Sequence, residues 1–301
     1  MRRHVLVFAL LIAAAGCSGR DEARDAGDPA RSMVRVDVSY THLAGAPPTE
    51  ARFDAQAHFV RYRSFDPAGV PTILGFTDFD SIPLGTCRAS DGTADLDSAL
   101  SQDGLASGMP AEVSLLDAGP IEVRGPIDRA VLMPAHYPEL VPFVSGVAYG
   151  ADENSAVTLG LGQSYQVSGD GGEEVGPFVA SVTAPRAFPI LQLDPLHRGA
   201  DLEVRWATVT PSAADENAEP LLLAVKWATR TGSRAVRCRV ADDGEVAVPA
   251  SAFDTLPPPA ALTSATVTAI RLTRGALSAP GVGSGELTIQ LRDVAPLQVA
   301  P

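Results

Sequence analysis

The feature that most constrains this chain is a period of two. In LEVRW (202–206), Leu202, Val204 and Trp206 fall on one side, with Glu203 and Arg205 on the other. LLLAVKW places Leu221, Leu223, Val225 and Trp227 together, with Lys226 opposite. In AVRCRV, Val236, Cys238 and Val240 oppose Arg237 and Arg239. Phe53, Ala55, Ala57 and Phe59 repeat the pattern against Asp54, Gln56 and His58. Strict alternation puts one face of an extended strand in a core and the other in water. The 27 Gly and 25 Pro punctuate the chain too often for long helices. Only residues 95–102 read as a helix, with Asp95 or Asp97 as cap and Gly104 as stop.

The expectation is an all-β chain of two β-sandwich-like domains, with at most one or two short helices. Strands are predicted near Val34–Val38, Phe53–Phe59, Thr72–Phe76, Ala111–Leu116, Ile121–Arg124, Ala130–Met133, Phe143–Tyr149, Val157–Leu161 and Gln163–Ser168. MPAHYPELVPF carries Pro134, Pro138 and Pro142 and is predicted irregular. The second half adds strands near Phe178–Thr183, Ile190–Leu193, Thr266–Arg274 and Glu286–Arg292 to the three quoted above. Asp242-Asp243-Gly244 is predicted as a hairpin turn before Val246 and Val248, and GVGSGE as a hairpin loop. The expected division is an acidic, mostly β domain over 34–177 and an immunoglobulin-like or jelly-roll sandwich over 178–301. With 46% hydrophobic residues, both have material for a core.

The N-terminus carries a different signal. Arg2 and Arg3 precede an uncharged apolar stretch, Val5 to Ala15, and the small residues Ala13 to Gly16. That is the layout of a secretory signal peptide over residues 1–16, too short to span a membrane. Ala14-Ala15-Gly16-Cys17 resembles the lipobox of bacterial lipoproteins, with Ala14 where that family prefers leucine. The resemblance covers the first 17 residues only. It implies lipidation at Cys17, cleavage before it, and a membrane partner reached through the N-terminal lipid. Ser18, in place of aspartate after the cysteine, implies an outer-membrane address in the bacterial cell envelope. Residues 17–33 are polar and mixed in charge, with almost no apolar side chains, and are expected to form a flexible tether.

Charge is unevenly spread. Residues 34–177 hold 20 acidic and 7 basic residues, and residues 178–301 hold 12 and 11. The acidic half opposes nucleic acid and anionic bilayers, so no nucleic-acid partner is expected. Lys226 is the single lysine beside 22 arginines. Arg205, Lys226, Arg237 and Arg239 share the outward phase of their strands. They form a candidate binding surface, for the acidic half or for an anionic envelope component, if those strands are neighbours.

Lipidation of Cys17 leaves Cys87 and Cys238 in an oxidising compartment. The pair is a candidate disulfide. Equally, Cys238 fits its inward position as a buried thiol.

No catalytic motif appears. His42, His58, His136 and His197 are unpaired by spacing, there is no HExxH, GxSxG or P-loop, and GLGQSY lacks the last glycine of GxGxxG. Asp91, Asp95 and Asp97, and Asp170, Glu173 and Glu174, match no EF-hand loop, so no metal site or cofactor is expected. Both tryptophans lie on apolar phases and are expected in cores rather than as sugar platforms. The expected function is a binding or structural role at the envelope, with a protein or envelope polymer as partner, and not catalysis. The alternative is a secreted hydrolase whose site is assembled from loops, with His136, Tyr137 and Glu139 the first place to look.

Overall fold

A computed structural model describes residues 30–63, 80–91, 112–136, 144–152, 154–209 and 219–300. Cys17, the predicted strand 72–76, the predicted helix 95–102, and Tyr137 and Glu139 lie outside the described residues. The described chain is all-β. Its strands are β1 (Arg31–Leu43), β2 (Arg52–Arg63), β3 (Thr86–Asp91), β4 (Glu112–Leu115), β5 (Ile121–Arg124), β6 (Arg129–His136), β7 (Val144–Ala151), β8 (Ser164–Gly169) and β9 (Phe178–Thr183). They continue with β10 (Leu191–Leu193), β11 (Leu196–His197), β12 (Leu202–Trp206), β13 (Leu221–Thr229), β14 (Ser233–Val240), β15 (Glu245–Val248), β16 (Leu262–Ser278), β17 (Ser284–Pro296) and β18 (Val299–Ala300). Short 3-10 turns at Pro48–Glu50, Ala250–Phe253 and Pro259–Ala261 are the helical elements among the described residues.

Thirteen strands form one sheet in the order β3-β14-β13-β16-β17-β1-β2-β4-β7-β6-β5-β8-β9. One end folds over on itself around a first core. Tyr40 on β1 meets Tyr165 on β8 with ring centroids 6.2 Å apart, and Phe59 on β2 meets Phe178 on β9 at 5.2 Å. The fold brings β9 against β16, where the Thr273 hydroxyl donates to the Thr183 carbonyl at 2.5 Å. Gly275 permits that approach, since a Cβ there would stand 2.8 Å from the Ser181 carbonyl oxygen. The other end of the sheet packs against a small three-stranded sheet, β10-β12-β15. Between these layers lies a second core containing Trp206, Trp227, Val236, Cys238 and Val267. Both bodies are sandwich-like, and both tryptophans are buried.

The cores do not divide at residue 177. β9 pairs with β8 in the first core, while β3 pairs with β14 in the second body's sheet. β16 and β17 serve both. Val267 and Ala269 point into the second core and Leu277 into the first. On β17, Leu287, Ile289 and Leu291 belong to the first and Ala295 to the second. An alternating strand keeps one face inward along its whole length, so a strand of 17 or 13 residues floors two cores in succession.

Four local expectations are corrected. β1 begins at Arg31, inside the expected tether, because Arg31, Ser32 and Met33 pair with Tyr62, Arg61 and Val60. A backbone ladder needs no apolar side chains. β6 runs through Pro134 to His136 beside β7. Residues 157–161 form no strand, because the Thr158 amide and hydroxyl bind the Asp128 carboxylate and the Gly160 amide binds the Tyr165 hydroxyl. Finally, Asp242-Asp243-Gly244 makes no hairpin. β14 stays in the large sheet while β15 pairs with β12 in the small one. The segment crosses between layers, and Gly244 adopts φ +106° to do so. By contrast, GVGSGE does join a hairpin, with Ser278 opposite Ser284.

Candidate functional site

The odd positions of β16 and β17 face the cores, so their even positions face outward. Across β1, β17, β16 and β13 that outer face forms a trough of about 380 Å³. Strand register arranges it in rows. Arg35 stands beside Glu286, and Asp37 beside Thr288, which lies opposite Arg274. Further along β17 come Gln290 and Arg292, then Val294 opposite Thr268. Thr268 faces Ala224, which faces Arg237, and Lys226 follows one row beyond on β13.

One end of the trough is filled by charge pairs. Arg35 Nε donates to Asp37 at 2.9 Å. Arg274 holds Asp80 through two contacts of 2.5 and 3.1 Å, and lies 3.4 Å from Glu286. The Arg274 guanidinium holds Asp80 below the usual carboxylate range, against the burial that opposes it. Burial raises the Glu286 carboxyl, although Arg274 and Arg35 pull the other way. Asp37 also accepts from Gln290 at 3.3 Å. Thr288 is 1% exposed at the centre of this face, and its hydroxyl has no hydrogen-bond partner among the described residues.

The other end carries cations. Arg292 donates to Gln290 at 2.7 and 3.1 Å, and burial lowers its pKa against the pull of Asp37 and Asp54. Lys226 is exposed at the rim. Desolvation by the surrounding protein, then repulsion from Arg237 and Arg292, holds it below its ordinary value.

The four basic residues singled out from the sequence therefore do not form one stripe. Lys226 and Arg237 line the trough. Arg239 lies beside it, 3.7 Å from Asp80. Arg205 sits on β12 in the small sheet, 3.6 Å from Asp194, with the second core between it and the others. Alternation reports which face a side chain takes, not which sheet its strand joins. Arg292 was not singled out, though it shares the outward phase.

Cys87 and Cys238 are joined in a disulfide. Register places them directly opposite on β3 and β14, with Cα atoms 4.0 Å apart. The bridge ties residues 86–91 of the acidic half to the second body.

Between the cores, two inward positions carry charge. Arg271 on β16 is 6% exposed and makes a bidentate pair with Asp242, from Nε at 2.7 Å and Nη2 at 2.8 Å. It also donates to the Ala187 and Ala207 carbonyls, while Asp242 accepts from Trp206 Nε1 at 2.8 Å. On β17, the fully buried Asp293 binds His42 Nδ1 and the Leu191 amide, the latter at 2.6 Å. His42 Nε2 faces the Ala46 carbonyl at 2.5 Å. Burial pulls His42 down, but the Ala46 carbonyl and then Asp293 outweigh it, and its pKa is raised. An imidazole with acceptors at both nitrogens is satisfied only as the cation. The sequence held one signal for these residues. Arg271 interrupts the inward apolar series begun by Val267 and Ala269 on β16, and Asp293 interrupts that of Leu287, Ile289 and Leu291 on β17. A charge in that phase needs a buried partner.

His136 is exposed at the end of β6. Nearby, hydrogen bonds from the Gly119 amide and the Tyr149 hydroxyl, both at 2.8 Å, hold the Asp117 carboxyl below the usual carboxylate range. Glu174 accepts from the Asp117 amide and lies 3.6 Å from Arg61. No group of three or more metal-ligating side chains occurs among the described residues.

No protein-family model and no curated protein matches the chain. Two solved structures show low similarity. The Fcho1 mu homology domain of Danio rerio, solved with a bound Eps15 peptide, is 11% identical over 90% of this chain and 98% of that one, with a TM-score of 0.25. The chicken CNTN1 FN1–FN3 domains are 12% identical over 64% of this chain and 63% of that one, with a TM-score of 0.18. At these TM-scores neither carries a functional argument.

Proposed function

We propose that this protein is an envelope lipoprotein, lipidated at Cys17 and held at the outer membrane, whose β body binds a protein or envelope polymer. The observation that carries the reading is the ordered series Arg2-Arg3, Val5 to Ala15 and Ala14-Ala15-Gly16-Cys17. The first strand begins at Arg31, so residues 18–30 separate the body from the lipid. As a coil they reach roughly 20 Å. A body held at that distance meets envelope components through its surface, and the trough is a surface on it with a defined shape and charge.

Mass spectrometry of the mature N-terminus tests the anchor. A lipidated N-terminal Cys17 supports it, with release of Cys17→Ala protein from the membrane fraction. An unmodified chain beginning at Gly16 overturns it. In-cell crosslinking with photoreactive groups at trough positions, followed by pull-down, tests the binding role. An envelope protein or polymer captured at the trough, but not from positions on β12, supports it. Equal recovery from both faces rejects it.

A further inference from the structure

We infer that the trough is a saccharide site, which holds a neutral sugar unit of an envelope glycan by hydrogen bonds to its buried polar floor. The inference rests on the binding role above and names the chemistry of its ligand.

Four side chains on the outward phase of β1 and β17 are polar and yet almost fully buried. Asp37, Ser39, Thr288 and Gln290 are 8%, 3%, 1% and 8% exposed, and all four line the trough. Strand register sets them in adjacent rows, Asp37 beside Thr288 and Ser39 beside Gln290. A string of hydrogen bonds fixes Gln290 and Asp37. Gln290 accepts from Arg292 at 2.7 and 3.1 Å and donates to Asp37 at 3.3 Å, while Asp37 accepts from Arg35 at 2.9 Å. Thr288 is the exception. It stands between Asp37 and Arg274 in register, yet its hydroxyl has no partner among the described residues. A buried hydroxyl left without a hydrogen bond destabilises the fold. A ligand hydroxyl seated in the trough supplies the missing partner.

The charge of the lining selects a neutral ligand. Five basic and four acidic side chains line the trough, and Asp37, Asp80 and Glu286 each lie within 3.4 Å of an arginine. Donors and acceptors thus stand side by side, with little net charge to offset. A hydroxyl is donor and acceptor at once, so adjacent hydroxyls on a sugar ring match such a lining. An anion would meet the carboxylates, and a cation the guanidinium groups. Leu222, Ile270 and Leu272 line the β13–β16 side, where they cluster with Ile82. That side takes the C–H face of the ring. The volume of about 380 Å³ falls within the roughly 300–1,000 Å³ of small-ligand sites.

The mature chain, held in a polyoxyethylene detergent that carries no sugar, is titrated by calorimetry. Maltose, lactose, cellobiose and N,N′-diacetylchitobiose are the probes, each used separately. The expected result is saturable binding of at least one of them, changed less than about twofold between low salt and about 0.5 M NaCl, because no net charge is exchanged. Thr288→Val replaces the hydroxyl with a methyl group. It lowers the affinity about two- to tenfold, the value of one hydrogen bond, and raises the urea midpoint of the free protein. A purely structural hydroxyl would give the opposite shift in midpoint. Arg205→Gln, on the small sheet, leaves binding unchanged. No saturable binding up to about 50 mM, beyond even weak millimolar affinity, overturns the site. So does binding that salt abolishes, or that Thr288→Val leaves intact, or a lower urea midpoint for that variant. If crosslinking from the trough captures an envelope partner while no disaccharide binds, the binding role stands and the saccharide assignment falls. Failure of the anchor is read separately, from the N-terminal mass.

Discussion

Replacing Asp242 with alanine strikes the junction between the two cores. Asp242 accepts two hydrogen bonds from Arg271 and one from Trp206 Nε1, and the side chains of the ion pair are 7% and 15% exposed. Removing it leaves a guanidinium in the interior with only the Ala187 and Ala207 carbonyls as partners. Breaking a buried pair on one side costs about 3–5 kcal/mol. An indole N–H left without its acceptor adds about 1 kcal/mol. The expected loss is about 4–6 kcal/mol, a large share of the roughly 5–15 kcal/mol that holds a folded protein. For a chain of this size that lowers the melting temperature by about 8–24 °C. Because β16 and β17 run through both cores, the loss appears as a shift of one cooperative transition, not as early melting of one body. Calorimetry and urea unfolding followed by tryptophan fluorescence both read it. The double variant Asp242→Ala, Arg271→Met should be more stable than Asp242→Ala alone, since it removes the stranded charge. A single variant within about 1 kcal/mol of the parent refutes the view that this pair holds the junction together.

Three further outcomes follow from the structure. His42 has its pKa raised in the folded state, so its contribution is complete below its unfolded value near 6.5 and is lost as pH rises through the raised value. Unfolding free energy should therefore fall between neutral and alkaline pH, and His42→Gln should abolish that slope. His58 behaves oppositely, because burial, aided by Arg35 and opposed by Asp37, holds it down at about 4. It stays neutral in the fold, so stability is lost as pH falls from 6.5 to about 4, by about 3 kcal/mol in full, and His58→Gln should flatten that acid limb. The Cys87–Cys238 bridge closes a separation of 151 residues, worth about 5 kcal/mol by the chain-entropy account. Dithiothreitol should lower the urea midpoint of the parent, and the Cys87→Ser, Cys238→Ser double variant should be insensitive to it.

The positions of the strands were legible because alternation is local. Ile121–Arg124 and Leu202–Trp206 coincide with their predicted spans, and Trp206 and Trp227 are buried as their phase required. Asp242 shows where local reading stopped. A turn-forming Asp-Asp-Gly is compatible with a hairpin or with a crossing between layers. Only the pairing of β15 with β12 decides between them. The trough was half legible. Lys226 and Arg237 were singled out for outward phase, but so was Arg205, which lies across the second core.

What the sequence determined by itself is the all-β character of the chain and the inward or outward sense of each strand residue. These depend on a few consecutive side chains. The tertiary structure alone decided that β16 and β17 floor two cores, that Cys87 stands opposite Cys238, and that Lys226, Arg237 and Arg292 share one trough. Each is a matter of register and sheet membership between strands far apart in the chain. A period of two assigns a side chain its face but leaves its neighbours across the ladder unspecified, and those neighbours are set by how the whole sheet buries its apolar side.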